Sequence, residues 1–231
     1  MVRVIAHRGA SAAAPENTVE AFRLAAELGA DWVELDVRRT ADDAAIVHHD
    51  AHLPDGRAIV ELTRADLPAH VPDLAEALDA CGALSVNIEI KNVPVDPDFD
   101  PDQRVAQWVI DEVAARDADG RTLVSCFHRQ TLDEVHRLRP SLPTAFLHGG
   151  VDQPWTELAA DVAGGGHVAL HPWFGLADEA YLAAAREVGL EVNVWTVDDP
   201  DHMAVLVARG VDGLCTNVPD VARRVLDTPT P

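Results

Sequence analysis

Short apolar runs alternate along the chain with segments whose apolar residues recur every three or four positions. The runs predict buried β-strands, and the periodic segments predict helices that pack one face against a sheet. The predicted strands span residues 2–6, 32–37, 84–90, 122–127, 144–147, 168–170, 191–196 and 213–215. The predicted helices span residues 18–28, 73–81, 101–116, 131–138, 155–162, 178–188, 200–208 and 219–226.

This alternation predicts an α/β fold in which the strands are parallel and joined by helices. Eight units of about 28 residues favour a closed (β/α)8 TIM barrel. Chains of this length commonly form one barrel domain, so we expect residues 1–231 to form a single domain, with a short segment between the second and third strands. An open doubly wound sheet is the alternative, although its usual GxGxxG turn does not follow the first strand.

The second predicted strand carries two carboxylates on one face. Glu34 and Asp36 share that face with Trp32, while the opposite face is aliphatic. Carboxylates at this spacing lie about 6–7 Å apart and repel by roughly 2–3 kcal/mol at an effective dielectric constant of about 20. The pair must therefore be solvated on an edge strand, protonated, or neutralised by a cation.

The third predicted strand repeats this arrangement, because Glu89 and Lys91 also share a face. Catalytic groups of TIM barrels collect at the carboxyl ends of the strands. We therefore expect Glu34, Asp36 and Glu89 to meet at the barrel mouth, where Lys91 balances one of three negative charges. Oxygen ligands favour Mg2+ or Ca2+ as the neutralising cation. Alternatively, Lys91 bridges one carboxylate and the others become protonated.

Two histidines follow short apolar strands and are candidates for proton transfer. His7 ends the first strand beside Arg8, and His49 precedes a loop. Imidazoles titrate near neutral pH and can act as acid and base, and the Arg8 guanidinium offers a fork of donors to a phosphate. His48 is an alternative candidate to His49. Neighbouring residues on a strand point to opposite sides, so only one of the two can face the barrel mouth. Further histidines fall near the predicted mouth, namely His128, His148 and His171.

Composition limits the partners and the compartment. The chain has 18 basic and 39 acidic residues, a net charge of −21, which argues against nucleic acid and anionic membranes. Its three cysteines form no CxxC motif, which favours reduced thiols and a cytoplasmic location. No apolar N-terminal run predicts a signal peptide, and no long apolar segment predicts stable membrane insertion. The oligomeric state stays open.

Motifs along nearly the whole chain resemble the glycerophosphodiester phosphodiesterase family. The N-terminal motifs are His7-Arg8-Gly9, Pro15-Glu16-Asn17-Thr18, Glu34-Leu35-Asp36-Val37 and His49-Asp50. The later motifs are Asn87-Ile88-Glu89-Ile90-Lys91, Val194-Trp195-Thr196-Val197-Asp198 and Gly210-Val211-Asp212-Gly213-Leu214-Cys215-Thr216-Asn217. Departures from the family pattern are a short segment at residues 53–57, a changed helix start at residues 71–74, and Asn217 in place of a common Asp, for which we expect a structural role.

The resemblance implies hydrolysis of glycerophosphodiesters to glycerol 3-phosphate and an alcohol, with one divalent cation, Mg2+ or Ca2+. The free glycerol hydroxyl would attack phosphorus, and water would then open the cyclic phosphate. The implied metal ligands are Glu34, Asp36 and Glu89. The implied acid–base pair is His7 and His49. The implied phosphate ligands and pocket walls are Arg8, Lys91, Phe127 and Trp195.

Three other functions are weighed against this one. Lysophospholipids could be the substrates, cleaved in the manner of a lysophospholipase D, for which Trp173 and Phe174 would supply an apolar surface. The barrel could also bind phosphate esters without hydrolysing them. Loss of one of the candidate catalytic histidines would indicate this, but both His7 and His49 are present. It could also be an unrelated metal-dependent aldolase or isomerase of sugar phosphates, but its glycine run at 164–166 falls before a strand, at the wrong end of the barrel.

Overall fold

Eight parallel strands close into a barrel in the computed structural model, which describes residues 2–228. The strands are β1 (Arg3–His7), β2 (Trp32–Arg39), β3 (Ala45–Val47), β4 (Ser85–Ile90), β5 (Thr122–Cys126), β6 (Thr144–His148), β7 (Ala169–Pro172), β8 (Glu191–Val194) and β9 (Gly213–Thr216). The barrel order is β1-β9-β8-β7-β6-β5-β4-β2, and a β1–β2 pair closes it. The predicted TIM barrel is confirmed, and the open-sheet alternative is wrong.

Strand β3 lies outside this ring. It pairs antiparallel with the end of β2, with Val37 opposite Val47 and Arg39 opposite Ala45. It corresponds to a short extended piece between the second and third barrel strands. Because β3 folds back along β2, it brings the loop that contains His49 over the barrel mouth.

A helix follows each barrel strand on the outside, counting β2 and β3 as one unit. The helices are α1 (Val19–Glu27), α2 (Leu74–Ala80), α3 (Arg104–Ala115), α4 (Arg129–Leu138), α5 (Trp155–Gly164), α6 (Glu179–Glu187), α7 (Pro200–Arg209) and α8 (Pro219–Asp227). Four 3-10 turns occur at Ile59–Glu61, Arg64–Asp66, Asp119–Arg121 and Phe174–Leu176. Within the described range, each helix is too short or too polar to cross a membrane.

The main core lies between the barrel and its helices. The aliphatic face of β2, with Val33, Leu35 and Val37, is fully buried there against residues such as Phe22 and Leu74. Burying one such side chain contributes about 1.5–3 kcal/mol. The outward face of β2 is thus fixed by apolar packing, and this forces its carboxylates toward the barrel interior.

Several predicted element ends differ from the structure. Strands β5 and β8 end at Cys126 and Val194, so the aromatic residues that follow them lie in loops. Helix α3 begins at Arg104 instead of residue 101, because the Asp100 carboxylate accepts a hydrogen bond from the Val105 backbone and fixes the helix start. Residue 1 and residues 229–231 lie outside the described range, so the predicted domain limits of 1 and 231 stay a prediction.

Candidate active site

A cavity of about 290 Å3 opens at the carboxyl ends of the barrel strands. Eight of the nine predicted site residues line it: His7, Arg8, Glu34, His49, Glu89, Lys91, Phe127 and Trp195. The ninth, Asp36, is 1% exposed and lies against the carboxylates that line the cavity. The barrel thus brings together side chains that are spread over nearly 190 positions of the chain.

Three carboxylates form a compact cluster in this cavity. Glu34, Asp36 and Glu89 each offer one oxygen atom, and these atoms lie within 4.8 Å of one another. The strand register explains the closeness, because Asp36 of β2 pairs with Glu89 of β4. Among the described residues, Glu34 Oε1 and Asp36 Oδ1 are buried and have no hydrogen-bond partner. Unpaired buried carboxylate oxygens at this spacing fit a metal ion that takes oxygen ligands.

The carboxylates resist full ionisation without a further positive charge. Burial, together with the charges of Asp36 and Glu89, raises the pKa of Glu34 well above its ordinary value. Burial also raises the pKa of Glu89, even though Lys91 acts to lower it. Burial acts in the same direction on Asp36, but Lys91 and Arg8 outweigh it and hold the pKa of Asp36 below its ordinary value. A divalent cation would remove this repulsion.

Arg8 is fixed beside the cluster by its backbone and by its side chain. Its φ of 55° and the φ of 82° at Gly9 turn the chain sharply after β1. The Arg8 backbone N–H consequently donates to Glu34 Oε2 at 2.8 Å. The guanidinium Nε lies 3.2 Å from Asp36 Oδ2, and Nη1 donates to Glu16 at 3.0 Å. The Arg8 guanidinium is therefore held at the cavity wall next to the carboxylates.

Lys91 provides the second fixed positive charge. Its Nζ donates to Glu89 Oε1 at 2.7 Å and lies 3.7 Å from Asp36 Oδ1. Burial acts to lower its pKa, but Glu89 and Asp36 outweigh burial, so the net shift is upward and the ammonium stays charged. The same Nζ lies 5.8 Å from the centre of the Phe127 ring. Phe127 in turn packs edge to face on Trp195, at 5.7 Å between centroids, so the aromatic wall touches the charged group.

His7 is held by a residue that sequence reasoning did not assign to the site. His7 Nδ1 lies 2.8 Å from Asn217 Oδ1. The Asn217 side-chain and backbone N–H groups donate to Asp198 at 2.6 and 2.8 Å, which directs the amide oxygen to His7. The His7 proton therefore sits on Nδ1, and Nε2 is left as the basic atom. Burial, followed by the charge of Arg8, lowers the pKa of His7.

His48 and His49 both follow β3, and of the two His49 lines the active-site cavity. His49 lines the cavity, while His48 lines a neighbouring depression and directs Nδ1 at the Asp50 carbonyl at 2.8 Å. His49 Nδ1 lies 2.7 Å from Asp50 Oδ1, and its own carbonyl accepts from Arg38 Nε at 2.7 Å. Burial lowers the pKa of His49, although the Asp36 carboxylate acts to raise it.

The remaining histidines near the mouth differ in their contacts. His171 lines the cavity, and burial lowers its pKa to about 3, so it is neutral. His148 bonds the Tyr181 hydroxyl at 2.7 Å, and burial lowers its pKa to about 4. His128 bonds Thr131 at 3.1 Å. Of these three histidines, His171 is the one that lines the active-site cavity.

A TIM barrel whose mouth combines an acidic cluster, two fixed cations and two imidazoles defines a barrel enzyme with a site for a phosphate ester. The sequence profile of the glycerophosphoryl diester phosphodiesterase family matches residues 7–221. The chain therefore belongs to this family, whose enzyme class is that of phosphoric diester hydrolases. Membership rules out the unrelated sugar-phosphate barrel weighed above.

Individual relatives are similar to this chain over almost their whole length. A glycerophosphodiester phosphodiesterase of Caldanaerobacter subterraneus subsp. tengcongensis is 30% identical over 239 residues, covering 94% of each chain. The structure of a glycerophosphodiester phosphodiesterase from Thermotoga maritima superposes with a TM-score of 0.82 at 26% identity, covering 97% of this chain and 98% of that one. A phosphodiesterase from Oleispira antarctica, solved with the product sn-glycerol-3-phosphate, has a TM-score of 0.87 at 23% identity, with 98% and 97% covered, and supports the fold.

Proposed function

We propose that the protein hydrolyses glycerophosphodiesters to glycerol 3-phosphate and an alcohol, and that it requires one divalent cation. The observation that carries the proposal is the pair of unpartnered buried carboxylate oxygens, on Glu34 and Asp36, beside two fixed cations and two imidazoles in one cavity. Family membership supplies the substrate class. The sn-glycerol-3-phosphate bound to the Oleispira antarctica enzyme names the expected product.

The cation would be held by Glu34, Asp36 and Glu89. Their donor set is made of oxygen atoms, which Mg2+ and Ca2+ prefer. When bound, the ion would neutralise the carboxylates and withdraw charge from a phosphoryl oxygen. This role agrees with the raised pKa values of Glu34 and Glu89, which result first from burial and then from the neighbouring carboxylates.

The two imidazoles would divide the proton transfers. His7 Nε2 takes the proton of the attacking glycerol hydroxyl, whose oxygen forms a new bond to phosphorus. The bond from phosphorus to the departing alcohol breaks, and protonated His49 gives a proton to the alcohol oxygen. Water then opens the cyclic phosphate, with both proton transfers reversed. Each general acid or base of this kind accelerates the reaction by about 10²–10⁴-fold.

The cations would bind the substrate phosphate throughout. Arg8 offers donors in a planar fork, and Lys91 offers a point charge, both within the cavity wall. They supply the local positive charge that an anionic substrate needs, because the molecule as a whole carries −21.

Hydrolysis of a panel of glycerophosphodiesters, with and without EDTA and with metal added back, tests this function. We expect activity to vanish with EDTA, to return with Mg2+ or Ca2+, and to fall at least 100-fold in His7→Ala and His49→Ala. His48→Ala is the matched control and should retain activity, since that ring faces the neighbouring depression. Chelator-insensitive hydrolysis, or full activity of His7→Ala, would overturn the proposal.

Lysophospholipid cleavage is less well supported. It calls for an apolar surface beside the site to hold an acyl chain. Trp173 is 44% exposed, but among the described residues the aromatic rings that line the cavity are those of Phe127 and Trp195. A cavity of about 290 Å3 suits a small polyol better than an acyl glycerol.

We also propose a cytoplasmic location and a small-molecule substrate as the main partner. The cysteines Cys81, Cys126 and Cys215 are buried free thiols, which suits a reducing compartment. The excess of acidic residues disfavours nucleic acid as a partner.

A further inference from the structure

The carboxamide of Asn87 is a buried polar group that the mechanism above does not use. Asn87 is 4% exposed and lines the active-site cavity. Among the described residues, its Oδ1 is buried and has no hydrogen-bond partner. Such a group costs about 1–3 kcal/mol in the absence of a partner, so an unpaired amide oxygen in a cavity wall indicates a ligand group that supplies the missing donor.

The strand register places Asn87 level with Glu34 and two residues deeper in the barrel than Glu89. It pairs with Glu34, which pairs with His7, and it precedes Glu89 by two residues on the same face of β4. A phosphate at Arg8 with its attacking hydroxyl at His7 would therefore leave the end of the glycerol directed at this level of the barrel.

Asn193, which also lines the cavity, already has hydrogen-bond partners. Asn193 Oδ1 accepts from Arg3 Nη2 at 3.1 Å, and Asn193 Nδ2 donates to His171 Nε2 at 2.9 Å. The rest of the inner wall includes the apolar side chains of Ile5 and Leu147. Asn87 Oδ1 is thus an unpaired neutral acceptor in the cavity wall, beside the unpaired carboxylate oxygen Glu34 Oε1, and a hydrogen bond to it would discriminate between substrates.

We propose that Asn87 Oδ1 accepts a hydrogen bond from the terminal hydroxyl of the glycerol group and so selects diesters in which that hydroxyl is free. A hydroxyl can donate to this oxygen, whereas an ester or ether oxygen at the same position cannot. Acylated or alkylated glycerol would leave the amide oxygen unpaired. This inference rests on the proposed function and makes Asn87 a specificity-determining residue for it.

The test compares glycerophosphocholine with 2-hydroxypropyl phosphocholine, which keeps the attacking hydroxyl but lacks the terminal one. We expect the wild type to prefer the glycerol substrate by about 10–100-fold in kcat/KM. Asn87→Leu should lose this preference, through a larger loss of kcat/KM on the glycerol substrate than on the deoxy substrate. An equal loss on both substrates would overturn the inference, because Asn87 would then support the site without contacting the hydroxyl.

Stability and metal titration give two readouts besides activity. Leu has the same number of side-chain heavy atoms and the same branching as Asn and needs no hydrogen-bond partner, so Asn87→Leu should raise the Tm of the substrate-free protein. The Asn87→Leu variant should bind Mg2+ or Ca2+ with the same affinity as the wild type. A lowered Tm, or weakened metal binding, would mean a structural or metal-ligating role and would overturn the inference.

Asn92→Leu is the matched control. Asn92 is 2% exposed, but its amide bonds the backbone of Asp100 and the side chains of Gln103 and Thr131. Its replacement should lower the Tm and leave the ratio of the two substrates unchanged. An equal change of that ratio in Asn92→Leu and Asn87→Leu would contradict a direct contact at Asn87.

Failure of the proposed function is a separate outcome, in which the wild type hydrolyses neither diester. The inference is then read from binding of glycerol 3-phosphate and of 2-hydroxypropyl phosphate by calorimetry. A preference of about tenfold for the former that Asn87→Leu removes would uphold the hydroxyl contact. Equal affinities in the wild type would overturn it.

Discussion

At the scale of residues, the proton chemistry depends on what each imidazole touches. Asn217 fixes the His7 proton on Nδ1, and Asp198 fixes the orientation of Asn217. The carboxylates and histidines were predictable, because strand alternation and strand ends determine where they lie. Asn217 was given only a structural role, since it lies 210 positions from His7 and meets it only when β9 pairs with β1.

Replacing Asn217 by Asp should move the pH dependence of catalysis. Burial lowers the pKa of His7 below 6.5, so the neutral base persists in mildly acidic solution. A carboxylate at residue 217 would stabilise the imidazolium and raise that pKa. The acidic limb of the kcat/KM profile should therefore shift upward by about one pH unit in Asn217→Asp. His48→Gln should leave the limb in place. An unshifted limb in Asn217→Asp would mean that His7 is not the base.

At the scale of elements, Arg38 of β2 connects three segments around the mouth. Its guanidinium binds Asp98 through two contacts of 2.8 Å and Asp96 at 2.9 Å, and its Nε holds the His49 carbonyl. The loops that contain His49 and Asp98 were both expected beside the barrel, but no sequence pattern indicated that Arg38 connects them. The predicted ends of β5 and β8 and the predicted start of α3 differ from the structure by one to three residues.

Arg38→Met should destabilise the fold strongly. Arg38 and Asp98 are both nearly inaccessible, so the variant leaves a buried carboxylate without its partner. Loss of one member of such a pair costs about 3–5 kcal/mol, measured by urea unfolding. Arg224→Met is the control, because its pair with Asp220 is largely exposed and should contribute less than about 1 kcal/mol. Similar losses in the two variants would show that Arg38 does not anchor these loops.

At the scale of the whole molecule, the net charge of −21 opposes compactness. The length and the strand–helix alternation were enough to predict the barrel. The meaning of the acidic surface was not predictable, because solubility and adaptation to high salt favour the same composition.

Screening of this charge should stabilise the protein. With EDTA present to exclude divalent ions, raising NaCl from about 10 mM to 500 mM should increase the Tm by several degrees, since the Debye length falls from about 30 Å to a few ångströms. KCl at equal concentration should act alike if ionic strength is the cause. A Tm that stays constant or falls would show that attractive ion pairs, and not net repulsion, dominate the surface.

Calorimetric titration of Mg2+ and Ca2+ tests the central claim that Glu34, Asp36 and Glu89 together hold one divalent ion. We expect one ion per chain for the wild type, and loss of measurable binding in Glu34→Gln and Glu89→Gln. Glu157→Gln, an exposed carboxylate on α5, should bind like the wild type. No saturable binding by the wild type, or equal binding by Glu34→Gln, would contradict the account.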